Sequence, residues 1–416
     1  MPDGTTAGAS MVPPMRPQVA LLTGGGDRPY ALGLASTLVS EGVTFDFIGS
    51  DDLEAPELQA NPQVRFLNLR GDQRPDVPLT EKVARVAKYY ARLLRYAASA
   101  QPRIFHILWN NKLELLDRTA LLLYYRLLGK RIVFTVHNVN VRRRDGKDGS
   151  LNRLTLRIQY RLVDHLFVHT EQMKRELQAE FGVPATKISV IPFGINSTVP
   201  DTALTRAEAR EQLGLTGSQK AVLFFGNIAP YKGLEHLVEA MALIARTIPD
   251  CRLIIAGRPK GSESYWAAIQ QRISALGLGS TVIERIEYVP DADTERYFKA
   301  ADLLVLPYVH VFQSGVLFLG YNFGLPAIVS DVASLREDVI EGTTGFICKP
   351  CDPVALARAI ERYFSSELYS ALDSRRPEIR RLASERYSWA TVGAITKDVY
   401  RKLEAGPRML LGTVCR

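Results

Sequence analysis

The segment AVLFFGNIAPYKGLEHLVEAMALIAR, residues 221–246, shows the local pattern on which the whole chain is built. Its first five residues are apolar and are typical of a buried β-strand, and the residues from Gly233 onward have the spacing of an amphipathic helix. A short connection with a glycine, a proline and Lys232 joins the two. This order of strand, turn and helix favours a mostly parallel sheet that helices cover on both faces.

The same alternation extends over both halves of the chain. In the first half, apolar runs predict strands at residues 19–23, 45–48, 64–69, 104–109, 132–137, 166–169 and 188–192. In the second half, they predict strands at 221–225, 252–256, 282–284, 303–306, 327–330 and 346–348. We therefore predict an α/β fold of two Rossmann-like domains that face each other across a cleft. Ligands of such sheets bind at the carboxyl ends of the strands.

The domain boundaries follow from changes in composition. The polar segment 197–217, which ends in a Gly-Ser turn, is the predicted linker. It separates an N-terminal domain at 17–197 from a C-terminal domain at 198–385, and a last helical segment occupies 386–416. Residues 1–16 are rich in Gly, Pro and Ser, so we predict a disordered tail; they lack the apolar region of a signal peptide.

Composition and charge limit the classes of protein. The chain has 416 residues, of which 46% are hydrophobic and 23% charged, and this excludes disordered, collagen-like and disulfide-stapled proteins. A formal net charge of +8 favours anionic partners without choosing among phosphates, lipid and nucleic acid. Cys348 and Cys351 have redox or metal spacing, but no second pair lies nearby, so we predict unpaired thiols in a reducing cytosol. No apolar stretch is long enough to span a bilayer, and we expect a cytoplasmic protein.

Three connections that follow strands have the composition of phosphate-binding turns: residues 24–26, 226–233 and 314–315. Glycines let the backbone come close to a ligand, while a lysine and a helix N-terminus attract an anion. Each feature alone also has a purely structural interpretation: a tight turn, a solvated lysine and an N-cap serine, respectively. Pro29 stands where a nicotinamide-binding glycine motif would continue, so a dehydrogenase is a poor interpretation.

Several longer motifs follow one another in the second half of the chain. They are GNIAPYKGLEHLVEA (226–240), LIIAGRP (253–259), EYVPDADTERYFKAADLLVLPY (287–308) and QSGVLFLGYNFGLPAIVSDVASLREDVIEGTTGFICKPCDP (313–353). The first half adds FTVHNVN (134–140), HTEQMKREL (169–177) and VIPFGIN (190–196). In these motifs, from about residue 19 to 403, the chain resembles the retaining glycosyltransferases of GT-B type in family 4.

The resemblance implies a substrate class and an architecture. It implies a nucleoside-diphospho-sugar donor held by the second domain, and a glycan or polyprenyl-diphosphate-linked acceptor held by the first, in exopolysaccharide or glycoconjugate synthesis. It also implies a last helix that packs back on the N-terminal domain. No metal ion is expected, because basic groups and backbone amides neutralise the diphosphate. No cofactor and no nucleic-acid partner are expected either.

The resemblance and the sheet positions together single out the candidate site residues. We expect the donor side to include Gly226, Asn227, Lys232, Arg258, Glu284, Tyr288, Val289, Gln313, Ser314, Gly315 and Glu337. We expect the acceptor side to include Gly24, Gly25, Gly26, Asn138, Arg142 and Arg143. As catalytic residues we name Lys232 and Arg258, which would stabilise charge on the leaving diphosphate, and His137, which would reach toward the transferred sugar. A structural histidine is the alternative for His137.

The sequence departs from the family pattern at two places. Asn227 stands where the family often has an arginine, and Arg258 could supply that charge. The family's paired glutamates, eight residues apart, fall near Val311 and Leu319, and neither residue is acidic. A branch of the family with the same QSG pattern lacks the pair. The nearest acidic substitutes in sequence order are Glu284 and Glu337.

A basic block follows the predicted strand that ends at His137. It consists of Arg142, Arg143, Arg144, Lys147, Arg153, Arg157 and Arg161. Such a run is usually a solvated face. Our hypothesis is that it meets an anionic acceptor or the anionic inner face of the membrane, where the protein would be peripherally bound.

Two other functions remain open at this point. The missing glutamates favour a catalytically inactive relative that binds a nucleotide sugar or acts as a scaffold in a polysaccharide-assembly complex. An epimerase or a phosphorylase of the same architecture is the third reading, although a pyridoxal-dependent phosphorylase would be much longer.

Overall fold

The structure is a computed structural model, and it describes residues 18–74, 76–144, 148–194, 199–311, 314–332 and 335–406. The predicted tail at 1–16 lies outside these residues, as does Gln313. Two sheets organise the chain, and all strand pairs with a recorded register are parallel. The α/β prediction is therefore confirmed.

The first sheet has seven strands. They are β1 (Val19–Leu22), β2 (Phe45–Gly49), β3 (Val64–Asn68), β4 (Ile104–Ile107), β5 (Arg131–Val136), β6 (His165–Val168) and β7 (Ile188–Val190). Their order in the sheet is β3-β2-β1-β4-β5-β6-β7. β1 and β4 are entirely buried, as expected of strands covered on both faces. The strand order changes direction between β1 and β4, and such a switch point is where ligands of α/β sheets bind.

The second sheet repeats this topology with six strands. They are β8 (Lys220–Phe225), β9 (Cys251–Ala256), β10 (Val282–Arg285), β11 (Leu303–Leu306), β12 (Ala327–Ser330) and β13 (Gly345–Cys348). Their order is β10-β9-β8-β11-β12-β13, so the switch point lies between β8 and β11. Every strand predicted from the sequence overlaps an observed one, because short apolar runs between amphipathic helices have few alternative structures.

Helices fill most of the connections between strands. Those before residue 200 are Arg28–Ser40, Pro56–Gln59, Leu79–Ser99, Glu114–Leu116, Leu122–Leu127, Val141–Arg144, Ser150–Leu162 and Glu171–Phe181. The later ones are Arg206–Gln212, Leu234–Ile244, Glu263–Ala275, Asp291–Ala300, Gly315–Asn322, Pro353–Phe364, Glu367–Ser370, Leu372–Arg386 and Trp389–Ala405. Short 3-10 turns lie at Asp51–Leu53, Ala185–Lys187, Pro230–Lys232 and Leu335–Asp338, and a π-turn at Asp117–Leu121.

Besides the single-turn helices Pro56–Gln59, Val141–Arg144 and Glu367–Ser370, two helices were not predicted from the sequence. Arg206–Gln212 lies inside the predicted linker, where Thr205 and Glu208 form a capping box that starts the helix. Leu372–Arg386 has a polar composition and carries Pro377 in its interior, a residue that usually indicates a helix end. The Thr-x-x-Glu spacing was a readable signal for the first helix, whereas the second had none.

The last helix, Trp389–Ala405, returns to the N-terminal part of the chain as predicted. From Gly393 onward it belongs to the same compact unit as β1 to β4. The Tyr400 hydroxyl lies 2.6 Å from Nδ1 of His106 on β4, and Lys397 donates to the backbone oxygen of Glu41. Complete burial lowers the pKa of His106 to about 3, so this interior contact is made by a neutral imidazole.

Candidate functional site

Lys232 lies in the connection between β8 and the helix Leu234–Ile244. Its side chain is 5% exposed, and its Nζ atom lies 5.4 Å from the centre of the Tyr308 ring. Among the described residues, no carboxylate forms a salt bridge with it. Burial lowers the pKa of the Lys232 ammonium, since a charge removed from water is disfavoured. A buried cation without a carboxylate partner can be stabilised by an anionic ligand.

Two glycines let the connection after β8 pack closely against the connection after β11. Gly226 has a φ of +96°, and a Cβ atom placed on it would lie 3.0 Å from Nζ of Lys232 and 3.5 Å from the Val316 side chain. Gly233 has a φ of +63°, and a Cβ there would lie 2.2 Å from the backbone oxygen of Pro307. Side chains at these positions would push the connection after β8 away from the connection after β11. The glycines therefore bring Lys232 and the start of the Gly315–Asn322 helix to one place.

Ser314 is the N-cap residue of that helix, but its side chain makes no capping hydrogen bond. Its hydroxyl instead lies 3.2 Å from the Tyr308 hydroxyl. The purely structural interpretation, in which Ser314 serves as a side-chain cap, therefore does not apply. A helix start without a side-chain cap presents its first N–H groups to a ligand, and an anion is the preferred one.

The positions of the family's glutamate pair are apolar and buried. Val311 and Leu319 are each 7% exposed and belong to the core of the second sheet. The two acidic substitutes have other partners: the Glu284 carboxylate accepts from the Gln270 amide at 3.4 Å, and exposed Glu337 lies 3.8 Å from Arg175. Neither carboxylate pairs with Lys232 in the described part of the chain.

Arg258 follows β9, the strand next to β8. Its guanidinium lies 5.3 Å from the centre of the Tyr288 ring, and both side chains are exposed. The Ile228 N–H donates to the Arg258 backbone oxygen at 3.0 Å, which ties the connections after β8 and β9 together. Asn227 is exposed in the same connection as Lys232, while Val289 packs against the core. Most of the predicted donor residues thus follow β8, β9, β10 and β11.

His137 directly follows β5 and contacts a second histidine that was not predicted as a site residue. His169, which ends the neighbouring strand β6, has its Nε2 atom 3.1 Å from Nδ1 of His137. Burial lowers the pKa of His169 to about 4, and its Nδ1 atom lies 3.4 Å from the Ile191 backbone oxygen. This pattern assigns a neutral His169 with its proton on Nδ1, so that His137 donates from Nδ1; in a neutral His137, Nε2 is then an acceptor.

Phe193 joins this histidine pair to the second sheet. Its ring centre lies 5.1 Å from the His169 ring and 5.4 Å from the Phe318 ring, on which it stacks. Phe318 belongs to the helix that starts after Ser314. The equivalent positions of His137 and His169, at the ends of adjacent parallel strands, were a signal that could have revealed the pair.

The first glycine turn follows β1, and its residues make room for two large side chains. A Cβ on Gly24 would lie 2.0 Å from the backbone oxygen of Trp109, and one on Gly26 would lie 1.9 Å from the Trp109 ring. A Cβ on Gly25 would lie 1.7 Å from the guanidinium of Arg70. Gly24 and Gly26 are required for packing, whatever ligand they also meet, whereas the flexible Arg70 side chain could move away from a larger residue at Gly25.

The basic block is partly neutralised by nearby carboxylates. Arg143 pairs with Glu180 and lies 3.8 Å from Glu176, and Arg153 lies 2.7 Å from Asp148. Burial and the neighbouring Glu180 raise the pKa of Glu176 to about 7. Arg142 is exposed at the start of the block, and Asn138 is half-buried after β5.

The described residues contain neither a metal-binding cluster nor a helix suited to span a membrane. These residues hold no group of three or more His, Cys, Asp or Glu side chains arranged to bind a metal ion. None of their helices combines the length and apolar character needed to cross a membrane.

Both halves of the chain match glycosyltransferase family models. Residues 24–199 match "Glycosyltransferase Family 4", and residues 205–378 match "Glycosyl transferases group 1". A D-inositol 3-phosphate glycosyltransferase of Streptomyces avermitilis is 29% identical over 245 residues, which cover 57% of this chain and 51% of that relative. The match thus spans about half the length of this curated relative.

Solved structures agree with the fold. A sucrose-phosphate synthase from Thermosynechococcus elongatus has a TM-score of 0.73 and 21% identity, covering 94% of this chain and all of that chain. Alr3699/HepE of Anabaena, crystallised with UDP and glucose, has a TM-score of 0.71 and 17% identity, covering 92% and 100%. The chain has the GT-B fold. Together with the family models, this identifies it as a GT-B protein that resembles the family 4 glycosyltransferases.

Proposed function

We propose that the protein is a retaining, metal-independent glycosyltransferase that uses a nucleoside-diphospho-sugar. The observation that carries the proposal is Lys232: a buried ammonium without a carboxylate partner among the described residues, next to Gly226 and to a helix start without a side-chain cap. The donor diphosphate is the anion that this arrangement suits. We assign the donor to residues 198–385 and a glycan or lipid-linked acceptor to 17–197.

Charge stabilisation is the main chemical task in such a transfer. As the bond from the sugar to the diphosphate breaks, negative charge grows on the phosphate oxygens. Lys232, Arg258 and the first amides of the Gly315–Asn322 helix would stabilise it, and the loss of one such group typically costs about 10²–10³ in rate. The departing phosphate can accept the acceptor's proton on the same face of the sugar, which gives retention without a dedicated nucleophile.

His137 would position the transferred sugar. Its Nδ1–H is held by neutral His169, so its Nε2 can accept a hydrogen bond from a sugar hydroxyl.

A thermal-shift assay tests the donor site. At about 100 times its dissociation constant, a ligand adds about 2.7 kcal/mol of stability. UDP and GDP should be compared because the family uses both bases, and the UDP complex of the Anabaena protein favours UDP. We expect stabilisation by one of them, and its loss in Lys232→Ala. The control is Lys349→Ala, at an exposed lysine after β13. Stabilisation that survives Lys232→Ala would contradict the site.

The second candidate is a catalytically inactive, nucleotide-sugar-binding relative in a polysaccharide-assembly complex. The apolar residues at the glutamate positions favour it. Turnover of a donor with an acceptor distinguishes the two functions, since the inactive relative would bind the nucleotide without releasing sugar. Release of free sugar isomers would instead indicate the epimerase.

We also propose that the basic block holds the protein at the inner, cytoplasmic face of a membrane. Leu151 and Leu154, on the helix that contains Arg153 and Arg157, are 60% and 53% exposed. Basic residues near an anionic bilayer add about 1 kcal/mol each. Reversing the charge of Arg142 and Arg143 should weaken binding to anionic liposomes, and unchanged binding would refute the idea.

A further inference from the structure

A second concentration of positive charge lies in the first part of the chain, in a pocket of about 260 Å³. The pocket lies between the segment after β3, the first half of the Leu79–Ser99 helix and the segment after β4. Its lining includes five basic side chains and a single acidic one: Arg70, Arg74, Lys82, Arg85, Lys112 and Asp72. Its volume suits a small ligand or one group of a larger one.

The basic side chains differ in how far they are neutralised. The Asp72 carboxylate lies 2.6 Å from Arg74 and 3.1 Å from Arg85, and Arg85 also pairs with Glu81. Arg70, Lys82 and Lys112 form no ion pair with any described residue. Three cations without counter-charges suit a doubly charged phosphate better than a singly charged carboxylate.

Arg70 packs against Gly25 and Tyr89, and it lacks a hydrogen-bond partner at one nitrogen. Its Nη1 atom is buried and makes no hydrogen bond to any described residue, and its guanidinium lies 5.4 Å from the centre of the Tyr89 ring. Gly25 leaves it space, because a Cβ there would lie 1.7 Å from Nη1. A buried N–H of a charged group normally has an acceptor, and among the described residues this nitrogen has none.

The wall of the pocket is fixed in position. The Tyr89 hydroxyl donates to the Asn111 side chain at 2.6 Å, and the Asn111 amide donates to Asp117 at 3.1 Å. The Tyr90 hydroxyl donates to the same carboxylate at 2.9 Å. A hydrogen-bonded wall keeps the pocket open without a ligand, which reduces the cost of ordering it on binding.

We propose that this pocket binds a phosphate group of the acceptor, with the Arg70 guanidinium as its main contact. The inference deepens the proposed function and rests on it, because the proposed function assigns the acceptor to this part of the chain. Arg70 packs against Gly25, which belongs to the predicted acceptor side. The phosphate belongs either to a soluble phosphorylated sugar or to a lipid headgroup. Their shared chemistry, a dianionic phosphate, is what the pocket recognises.

Titration calorimetry with inorganic phosphate at constant ionic strength tests the pocket. We expect wild-type protein to bind phosphate and Arg70→Gln to bind it about 10- to 100-fold more weakly, the range for losing a hydrogen bond to a charged group. The matched control is Arg381→Gln, outside the pocket, whose arginine is 59% exposed and paired with Glu385, and its affinity should stay within about threefold of wild type.

The Lys232→Ala variant separates this pocket from the donor site. The phosphate binding that depends on Arg70 should persist in it. Loss of phosphate binding in Lys232→Ala but not in Arg70→Gln would overturn the proposal, as would a wild-type protein that does not bind phosphate. If Arg70→Gln does not fold, as judged by circular dichroism, the double variant Lys82→Gln/Lys112→Gln replaces it, and the same weakening is expected.

Two further probes identify the source of the phosphate. Stronger binding of glucose 6-phosphate than of phosphatidic acid vesicles supports a soluble acceptor, and the reverse order supports a lipid-linked one; both should depend on Arg70. A failure of the proposed function remains distinguishable. In that case UDP and GDP would fail to stabilise the wild type, while phosphate binding would still depend on Arg70.

Discussion

The connection after β1 and the connection after β8 occupy the same place in their sheets, but they differ in which group supplies the negative charge at the start of the following helix. Each leaves a strand at a switch point and enters a helix through glycines with positive φ. After β1, the Asp27 carboxylate caps the helix by accepting from the Tyr30 N–H at 2.9 Å. After β8, the helix starts at Gly233 without a side-chain cap, and a buried lysine precedes it. A protein carboxylate therefore occupies the anion position in the first case, whereas in the second an anionic ligand can occupy it.

The source of the cation also differs between the two connections. Lys232 lies within the glycine turn itself, so its role can be read from a single short motif. Arg70 reaches Gly25 from the segment after β3, about 45 residues further along the chain. A sequence motif reveals residues that are close together in the chain, whereas a contact between residues that are distant in sequence is seen only in the structure.

The largest expected effect concerns Lys232. If the connection after β8 holds the donor diphosphate, Lys232→Ala should lower the rate of sugar transfer by about 10²–10³. Initial rates with a UDP-sugar and a suitable acceptor measure it, with Lys349→Ala as the control that should retain wild-type activity. A fall in the transfer rate of less than about threefold would show that Lys232 does not stabilise the diphosphate, so the two connections would not differ in anion binding.

A second test asks whether the glycines after β1 are needed for packing. Gly24→Ala would place a Cβ 2.0 Å from the Trp109 backbone oxygen at a φ of +60°. We expect it to lower the free energy of unfolding by more than the roughly 1–3 kcal/mol of backbone strain alone. Urea denaturation should compare it with Gly42→Ala, which has a φ of +74° but no neighbouring atom within 4 Å. Equal losses in the two variants would contradict the packing role.

The histidines give a pH dependence with a definite sign. Burial lowers the pKa of His169 to about 4 from its usual 6.5, so the unfolded chain binds this proton more readily than the folded protein. The stability that neutral His169 contributes is complete above pH 6.5 and is lost as the pH falls toward 4. We expect the unfolding free energy of His169→Gln to depend on pH less steeply there, by up to about 1.4 kcal/mol per pH unit. Parallel pH profiles for the variant and the wild type would show that His169 is not neutral in the fold.

The smallest effect concerns the cap after β1. Asp27→Ala should cost about 1 kcal/mol of stability, because the Tyr30 N–H loses its acceptor. Asp27→Asn retains the cap and is the control. A variant as stable as wild type would mean that the helix start after β1 does not depend on its own carboxylate.

The fold was largely predictable because each strand carries its own apolar run. The Lys232 connection was equally local, and its motif identified it. His169, Phe193 and Arg70 were missed because their roles depend on neighbours distant in sequence: His137 for the first two and Gly25 for the third. The helix Leu372–Arg386 was missed because Pro377 and a polar composition hide it.

The most direct test of the central claim is a calorimetric titration of UDP, or of GDP if that base is preferred, into wild type, Lys232→Ala and Arg70→Gln. We expect a large loss of nucleotide affinity in Lys232→Ala and wild-type affinity in Arg70→Gln, because the donor diphosphate binds after β8. Wild-type affinity in Lys232→Ala together with a loss in Arg70→Gln would place the nucleotide in the other half of the chain and contradict a donor site at Lys232.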